Sequence, residues 1–265
     1  MFFNRIQAIK DLKKLSVIIP ARNEAENLEE CINQVVDELS LQDIEHEVII
    51  IDDGSTDNTP KVAHKIRYEY STVRYIRNNG ENGFGRAVRV GLDELNGDAV
   101  AIMMADLSDS PKDLVSYWKC IQDGNDCVFG SRFIKGGKVY NYPFLKLMAN
   151  RVVNTMIRLV FNLQCNDITN AFKMYRREVI NGCRPFISPH FNLTVEIPLK
   201  AIIRGYSWKV IPISWQNRAN GVAKLKLREM GSRYFFIIAY LWLEKYFSRG
   251  DYLKNDIWER FNSNL

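Results

Sequence analysis

Hydrophobic residues follow two alternating patterns between Leu15 and Gly130. Five short runs are almost continuously apolar, as expected for strands that are buried on both faces of a parallel sheet: LSVIIP, HEVIIID, VRYI, DAVAIMMAD and DCVFGSRF. The segments between them place apolar residues at helical spacing, as at Leu28, Ile32, Val35, Val36 and Leu39. This alternation predicts an α/β protein with a doubly wound, mostly parallel sheet.

The pattern changes after Gly136, where no further strand–helix alternation is evident. We predict an amphipathic helix in YPFLKLMANRVVNTMIRLVFN, a helix in FNLTVEIPLKAIIRGY that ends at Gly205, and a strand in SWKVIPISW. A basic loop, QNRANGVAKLK, follows, and the last helices begin near Glu229. Because no repeat or linker interrupts the chain, we expect one domain over residues 1–227 and a C-terminal amphipathic helical extension over 228–265.

Charge and cysteine usage narrow the class of protein. The 265 residues carry a net charge of +5, and the basic residues concentrate at 135–158 and 218–233, which favours phosphates or membrane surfaces as partners. They lie beside acidic loops rather than along an aromatic strip, so we expect no nucleic-acid partner. The five cysteines form no CxxC pair and no metal-ligand spacing with the three histidines, which is typical of reduced thiols in a cytosolic protein.

The most membrane-like stretch is YFFIIAYLWL at 234–243. Ten helical residues extend about 15 Å, whereas the hydrocarbon core of a bilayer is about 30 Å thick, so we predict no transmembrane helix. Residues 1–14 mix charges and contain no apolar signal-peptide core. The cations that flank the stretch would suit a helix lying on an anionic membrane surface, and packing on the domain or in a homo-oligomer is the open alternative. These cations are Arg228, Arg233, Lys245 and Arg249.

Four polar clusters directly follow predicted strands: Pro20–Glu24, Asp52–Asp57, Asp106–Asp109 and Ser131–Arg132. In an open parallel sheet, ligands bind outside the carboxyl ends of the strands. One such cluster could be a solvated loop, but four at the same edge predict a binding site.

The acidic loop MMADLSDSP, at 103–111, suggests the chemistry of this site. A divalent cation takes oxygen ligands and leaves part of its coordination shell to phosphate and water. Asp106 is the expected ligand, assisted by Ser108 or Asp109. Asp109 lies shortly before Pro111, however, and we expect it to cap the following helix rather than to bind metal. A cation held here would neutralise a diphosphate.

Two further motifs are compatible with a nucleotide ligand. IDDGSTD is either a plain turn or a place where Asp52 and Asp53 accept hydrogen bonds from a nucleobase and a ribose. NGFGRAV has Val88 where a dinucleotide-binding fingerprint needs its third glycine, so a Rossmann dehydrogenase is not expected. Its glycines and Arg86 could instead begin a helix that approaches phosphate.

The order of the motifs resembles that of family 2 glycosyltransferases, and within them the dolichol-phosphate mannose synthases and their bacterial polyprenyl-phosphate relatives. The resemblance covers residues 15–227. It implies a GT-A fold, a nucleotide diphosphate sugar as donor, Mg²⁺ or Mn²⁺ as cofactor, inversion at the anomeric carbon and a peripheral location at the cytosolic membrane face. The segments that carry it are VIIPARNEAENL, IIDDGSTDNT, NGFGRAVRVGL, MMADLSDSP, FGSRFIKGG, DITNAFKMYRREV and NRANGVAKLK.

Matching these motifs by position implies roles for individual residues. With Arg86 added from the glycine-rich motif, donor binding falls on Pro20, Ala21, Arg22, Glu24, Asp52, Asp53, Arg86, Met104, Ala105, Asp106, Arg218 and Lys224. The match implies that Asp106 and Ser108 bind the metal. It also implies that Asp106, Arg132 and Arg218 lie at the reaction centre. The acceptor phosphate falls on Arg132, Lys146, Asn150 and Arg151.

Four positions depart from the family pattern. Met104 replaces the first aspartate of the DxD-like motif. Either Asp106 alone carries the metal, with diphosphate and water completing the shell, or metal and catalysis have been lost. We favour the first because the rest of the site is intact and strongly basic. Lys146, Asn150 and Ala223 differ at positions that concern the acceptor head group and the late basic loop.

The acceptor determines whether a general base is needed. A phosphate monoester, with a second pKa of about 6, is largely a dianion at neutral pH and needs cations rather than a base. A sugar hydroxyl needs a carboxylate base, for which Asp167 and Glu196 are the spare candidates. We expect these two instead to be a turn acid and a helix acid that orients an arginine.

We therefore expect transfer of a hexosyl group to a polyprenyl or dolichyl phosphate. Mannose from GDP-mannose is the leading donor by resemblance, and glucose or an N-acetylhexosamine from a UDP donor is the alternative. Two other functions remain open. One is a glycosyltransferase that acts on a glycan hydroxyl, and the other is an inactive protein that binds sugar nucleotides.

Overall fold

The computed structural model describes residues 12–217 and 227–254. Within these residues the chain forms the strands β1 (Lys14–Ala21), β2 (Glu45–Asp52), β3 (Val73–Arg77), β4 (Ala99–Ile102), β5 (Cys127–Ser131), β6 (Lys138–Tyr140), β7 (Lys173–Arg176), β8 (Trp208–Pro212) and β9 (Ser214–Gln216). The helices are α1 (Leu28–Leu41), α2 (Thr59–Glu69), α3 (Phe84–Glu94), α4 (Pro111–Gln122), α5 (Phe144–Phe161), α6 (Arg177–Cys183), α7 (Leu193–Ile203) and α8 (Leu227–Phe247).

The main sheet has seven strands in the order β3-β2-β1-β4-β7-β5-β8. Every neighbouring pair is parallel except the two that involve β7, which is antiparallel to both β4 and β5. In the β1–β2 register Ala21 lies opposite Asp52, so the ends of these strands coincide. The order of strands reverses beside β1, which is the arrangement that opens a binding crevice at the carboxyl edge.

Helices cover both faces of the sheet. On one face α1, α2 and α4 pack their apolar residues, such as Leu28 and Leu114, against β1 and β2. On the other face α3, α5, α6, α7 and α8 pack against the opposite side chains of the same strands, including Ile18 and Ile49. The predicted α/β, doubly wound, mostly parallel fold is therefore confirmed.

One local prediction was wrong, and one strand was missed. SWKVIPISW is not one strand, because the chain changes sheets at Ile213: β8 joins the main sheet and β9 pairs with β6. The strand β7 was not predicted at all, because KMYR is short and basic at both ends. The fold accommodates it by hydrogen bonding: Arg176 donates from Nη2 to the carbonyl of Ile121 at 2.8 Å and from Nε to that of Asn125 at 3.0 Å.

The helix α8 packs on the domain through one face. Ile237, Ile238 and Leu241 are buried, and Glu244 accepts a hydrogen bond from Nε of Arg204 at 2.8 Å. Its other face is exposed and aromatic. No helix in the described part of the chain combines the length and apolar character needed to cross a membrane. The side chain of Arg228 lies outside the described residues, and the domain boundary after residue 227 stays a prediction.

Candidate active site

The strand ends bring the predicted polar clusters together at one edge of the sheet. The backbone N–H of Asp53 donates to the carbonyl of Ala21 at 2.8 Å, and that of Met103 donates to Ile18 at 3.0 Å. These bonds place the loops that follow β1, β2 and β4 side by side. The clusters at Pro20–Glu24, Asp52–Asp53 and Asp106–Asp109 thus line one edge, as expected from the sequence.

The first loop is tied to the turn that follows β2. The backbone N–H of Asn23 donates to Oγ of Ser55 at 3.0 Å, and that of Glu24 donates to Oγ1 of Thr59 at 2.8 Å. Arg22 is exposed at the tip of the loop, while Pro20 and Ala21 are the buried last two residues of β1. The loop therefore has a fixed shape and presents one cation to solvent.

The two aspartates at the end of β2 are both buried but have different hydrogen-bond partners. Asp52 is fully buried and accepts hydrogen bonds from the backbone N–H of Ser55 at 2.8 Å and from the hydroxyl of Tyr75 at 3.0 Å. Its carboxylate stabilises the turn, and its contact with the donor stays a prediction. Asp53 accepts from the backbone N–H of Gly83 at 2.8 Å. It fixes the start of α3, and its contact with the nucleoside stays a prediction.

The glycines at the start of α3 have a packing role. A Cβ on Gly83 would lie 2.4 Å from the carbonyl oxygen of Pro189, and one on Gly85 would lie 2.4 Å from that of Ser188. The close approach that they allow here is to the 188–190 loop, and an approach to phosphate stays a prediction. Arg86 donates to the carbonyl of Asn82 at 3.1 Å and pairs with a neighbouring glutamate, and its donor contact stays a prediction.

The acidic loop after β4 curls tightly back on itself. Asp106 accepts a hydrogen bond from the backbone N–H of Ser108 at 3.2 Å, and Asp109 accepts one from that of Met104 at 3.2 Å. Ser110 occupies the N-cap position of α4 without a side-chain capping bond, and the Asp109 carboxylate faces Met104 instead, so the prediction that Asp109 caps this helix was wrong. Burial, and then the charge of Asp106, raise the pKa of Asp109 to about 7. Two carboxylates confined in this way are stabilised by a bound cation.

The donor set of this loop is compatible with a hard divalent cation. The described residues contain no group of three or more His, Cys, Asp or Glu side chains arranged to hold a metal. Asp106 supplies carboxylate oxygens, and Mg²⁺ commonly takes only one or two protein carboxylates and completes its shell with phosphate and water. The thioether of Met104 is a soft donor and does not contribute to such a site.

Cys31 lies beneath the acidic loop, a position that the sequence did not indicate. Its Sγ is 3.6 Å from the carbonyl oxygen of Met104. Burial, followed by the charges of Asp106, Asp109 and Glu24, raises the pKa of Cys31. The thiol therefore stays protonated and packs as a small apolar group rather than binding metal.

The short strand β9 connects the acidic loop with the late basic loop. The backbone N–H of Gln216 donates to the carbonyl of Ser108 at 3.1 Å, and Trp215 forms an antiparallel bridge with Asp109. The described chain thus reaches residue 217 beside the acids. Three positions singled out in the following loop lie outside the described residues: Arg218, Ala223 and Lys224.

Arg132, at the end of β5, is buried in a polar and aromatic environment. Its Nε and Nη2 donate to the two carboxylate oxygens of Asp167 at 2.8 and 2.7 Å. The rings of Phe133, Tyr142 and Trp215 surround the guanidinium at 5.3, 5.4 and 5.5 Å. Burial alone would lower the pKa of Arg132, but the hydrogen bonds and charge of Asp167 raise it.

Both spare carboxylates are held by cations. Asp167, which we expected to be a turn acid, pairs with Arg132. Glu196 was expected to orient an arginine, but its partner is Lys200 at 2.8 Å, and both of these side chains are fully buried. Glu196 also accepts backbone N–H groups from residues 187–188. These contacts give each carboxylate a structural role.

The helix α5 brings the predicted acceptor residues to the same region. Asn150 donates to Oγ1 of Thr169 at 2.9 Å, and Nη1 of Arg151 donates to the carbonyl of Asn166 at 2.9 Å. Lys146 is half-buried one turn earlier. The segment that carries Asp167 therefore also holds the middle of α5.

Lys173 is a buried cation that the sequence analysis missed, because β7 was not recognised. It is fully buried, and its Nζ donates to the carbonyl of Thr194 at 3.3 Å. Burial lowers its pKa to about 7, although the charge of Asp167 acts in the opposite direction.

Comparison with known sequences gives matches that cover most of the chain. The profile described as "Glycosyl transferase family 2" matches residues 16–183. A dolichol-phosphate mannosyltransferase of Pyrococcus furiosus is 34% identical over 222 residues, which span 80% of this chain but only 59% of that protein. A polyprenol monophosphomannose synthase of Mycolicibacterium smegmatis is 29% identical over 223 residues, or 82% of this chain and 83% of that protein.

Solved structures share the fold. The crystal structure of glucosyl-3-phosphoglycerate synthase from Mycobacterium tuberculosis with Mn²⁺, uridine diphosphate and glucosyl-3-phosphoglycerate superposes with a TM-score of 0.66 at 20% identity, covering 91% of this chain and 82% of that one. Another mycobacterial protein gives a TM-score of 0.67 at 19% identity, covering 91% and 77%. The sheet, the acidic loop at its carboxyl edge and the extent of the profile match lead to one conclusion: the chain belongs to family 2 of the glycosyltransferases.

Proposed function

We propose that this protein transfers a hexosyl group, with inversion, from a nucleotide diphosphate sugar to the phosphate of a polyprenyl or dolichyl phosphate. One observation carries the proposal: Arg132 contacts Trp215, which bridges to Asp109, and shares the Phe133 ring with Arg151 of α5. Both candidate bases, in contrast, are bonded to cations. A phosphate acceptor is already an anion and needs positioning cations rather than a base. The names of the two relatives, a mannosyltransferase and a monophosphomannose synthase, support the same acceptor class.

The reaction is a single displacement. An oxygen of the acceptor phosphate forms a bond to the anomeric carbon, the bond from that carbon to the β-phosphate oxygen breaks, and the nucleoside diphosphate leaves with the electron pair. Asp106 and Ser108 would hold Mg²⁺ or Mn²⁺, which when bound neutralises charge on the leaving diphosphate. Asp53 and the first loop would bind the nucleoside, and Arg218 with Lys224 the diphosphate. Mannose from GDP-mannose is the leading donor, since both relatives are named for mannose transfer.

A transfer assay tests this proposal. Purified protein is incubated with Mg²⁺ or Mn²⁺, a panel of GDP- and UDP-sugars and a short-chain polyprenyl phosphate, and lipid-linked sugar is measured. We expect product with one donor and none when the lipid phosphate is replaced by the corresponding alcohol. Product on a glycan hydroxyl but not on lipid phosphate would instead support the glycan acceptor. Nucleotide binding without product on any acceptor would identify an inactive binding protein.

We also propose that the protein works as a peripheral enzyme on an anionic membrane surface. Large apolar side chains are exposed on the two neighbouring helices α5 and α8. Monomeric soluble proteins rarely expose an apolar patch of this kind. Residues 135–163 contain five cations and no acidic residue, which is complementary to anionic lipid. The exposed side chains, which we call the apolar surface, are Leu145, Met148, Val152, Met156, Leu159, Phe235, Phe236, Trp242, Leu243, Tyr246 and Phe247.

Replacing Leu145 and Leu159 by serine together should weaken binding to liposomes that contain anionic lipid by roughly 10-fold or more, because each buried leucine contributes about 1.5–3 kcal/mol. These side chains are 78% and 75% exposed, so the fold should not depend on them. Leu41→Ser, at a leucine on α1 that is also 75% exposed, is the matched control and should bind normally. Unchanged flotation of the double variant, or self-association through this surface, would contradict the membrane proposal.

A further inference from the structure

We propose that Asp167 is a positioning residue for the acceptor phosphate: it holds the guanidinium of Arg132 in the orientation that binds this phosphate. The inference rests on the proposed function and assigns Asp167 a part in it. Because Asp167 contacts Arg132 rather than substrate, it is neither a general base nor a catalytic residue.

The contact between the two side chains is geometrically specific. Asp167 is fully buried and accepts three N–H groups of Arg132: the backbone N–H at 3.0 Å, Nε at 2.8 Å and Nη2 at 2.7 Å. A bidentate contact of this kind fixes the plane of the guanidinium as well as its position. It engages the Nε–Nη2 edge of the guanidinium, so that Nη1 lies outside the contact with Asp167.

Asp167 is itself held by its neighbours. Oγ of Ser131 donates to Oδ1 of Asn166 at 2.6 Å, and Nδ2 of Asn166 donates to the carbonyl of Phe133 at 3.1 Å. These bonds fasten the segment before Asp167 to the residues on either side of Arg132. The carboxylate and the arginine therefore keep one relative position without help from substrate.

The same segment positions the second predicted phosphate-binding arginine. Nη1 of Arg151 donates to the carbonyl of Asn166 at 2.9 Å. The guanidinium of Arg151 lies 4.4 Å from the centre of the Phe133 ring, and that of Arg132 lies 5.3 Å from it. The two guanidinium groups thus contact one ring and one supporting segment, and the proposal assigns both to the same acceptor phosphate.

This arrangement also explains why Asp167 does not act as a base. Both carboxylate oxygens of Asp167 accept hydrogen bonds from Arg132, so neither is directed at an acceptor hydroxyl. The charge of Asp167 also offsets the cost of burying Arg132, which would otherwise be large.

Chemical rescue tests the inference. Arg132→Ala should reduce transfer to a short-chain polyprenyl phosphate by roughly 10²–10³-fold. Guanidinium at millimolar concentration should restore part of the rate, since Asp167 can bind the planar cation through two hydrogen bonds, whereas methylammonium should restore less. In the double variant Arg132→Ala, Asp167→Asn, neither cation should restore activity. Equal rescue with and without the carboxylate would overturn the role of Asp167.

Single variants give a second measurement that does not depend on the rescue. Asp167→Asn should raise KM for the lipid phosphate by roughly 10²-fold while KM for the sugar nucleotide stays near its normal value. Arg132→Lys, which keeps the charge but loses the bidentate contact, should show the same selective change and fold normally. Glu196→Gln is the matched control at another buried carboxylate, and should lower stability without separating the two KM values.

The outcomes distinguish this inference from the proposed function. If the wild-type protein makes no product on lipid phosphate, both the proposed function and the positioning role of Asp167 are overturned. If it makes product, and Asp167→Asn changes both KM values equally or changes only thermal stability, the proposed function stands and the positioning role of Asp167 is overturned.

Discussion

Asp106→Asn should reduce the rate of hexosyl transfer by roughly 10³-fold, because loss of the metal removes several kcal/mol of charge stabilisation from the leaving diphosphate. The expectation is unusually sharp in this chain. Met104 stands where the family has another carboxylate, so Asp106 has no acidic partner two residues before it. Its only acidic neighbour within the loop is Asp109, whose oxygen accepts the backbone N–H of Met104 at 3.2 Å.

The measurement is the initial rate of transfer at several Mg²⁺ and Mn²⁺ concentrations, together with Mn²⁺ binding in the presence of nucleotide. Asp109→Asn is the matched control in the same loop: an amide can still accept the Met104 N–H, so we expect a much smaller loss of rate. Met104→Asp should tighten metal binding and keep activity. A rate for Asp106→Asn within tenfold of the wild type would show that this carboxylate does not carry the metal.

Lys200→Met should lower the free energy of unfolding by about 3–5 kcal/mol, because it leaves a buried carboxylate without its counter-charge. Lys200 and Glu196 are fully buried and 2.8 Å apart. Glu196 also accepts the backbone N–H of Ser188 at 2.8 Å, so the pair holds the 185–190 loop in place. That loop packs against Gly83 and Gly85, and its loss would also loosen the start of α3.

Urea unfolding monitored by circular dichroism gives this free energy. Lys65→Met is the matched control, since Lys65 forms an ion pair with Glu29 at 2.7 Å but is exposed. Exposed ion pairs contribute little to stability, so no measurable change is expected there. Equal effects of the two substitutions would show that the buried pair does not stabilise the loop. A double variant, Glu196→Gln with Lys200→Met, should recover part of the loss because no unpaired charge remains.

The regular part of the fold followed from local pattern. The strands β1 to β5 are continuous apolar runs, and α1 to α4 repeat apolar residues at helical spacing, so the hydrophobic effect alone selects their type and the buried face. The strand β7 did not follow, because KMYR is polar by composition. Its burial depends on acceptors such as the carbonyls of Ile121 and Asn125, which come from distant parts of the chain.

The candidate site also has features that the sequence predicted and features that it did not. Its place at the strand ends, and Asp106 within it, were predicted because turn and acidic residues after apolar runs are visible in one dimension. The burial and the hydrogen-bond partners of each carboxylate were not predicted. Asp109 accepts the N–H of Met104 in its own loop rather than capping a helix, and Asp52 at the end of β2 accepts that of Ser55. Both carboxylates are buried, and their burial depends on how the surrounding elements pack.

The sequence by itself determined the α/β architecture, the edge of the sheet where the site lies and the family to which the chain belongs, because periodicity and ordered motifs are properties of neighbouring residues. Only the tertiary structure decided which charges are paired. Arg132 and Asp167 are separated by β6 and α5 in the chain, so only the fold brings them together. Glu196 and Lys200 are neighbours on one helix, and the fold decides there that both side chains are fully buried. A buried charge is costly unless it is paired, so these pairings matter for stability. Burial depends on the whole fold and cannot be read from neighbouring residues.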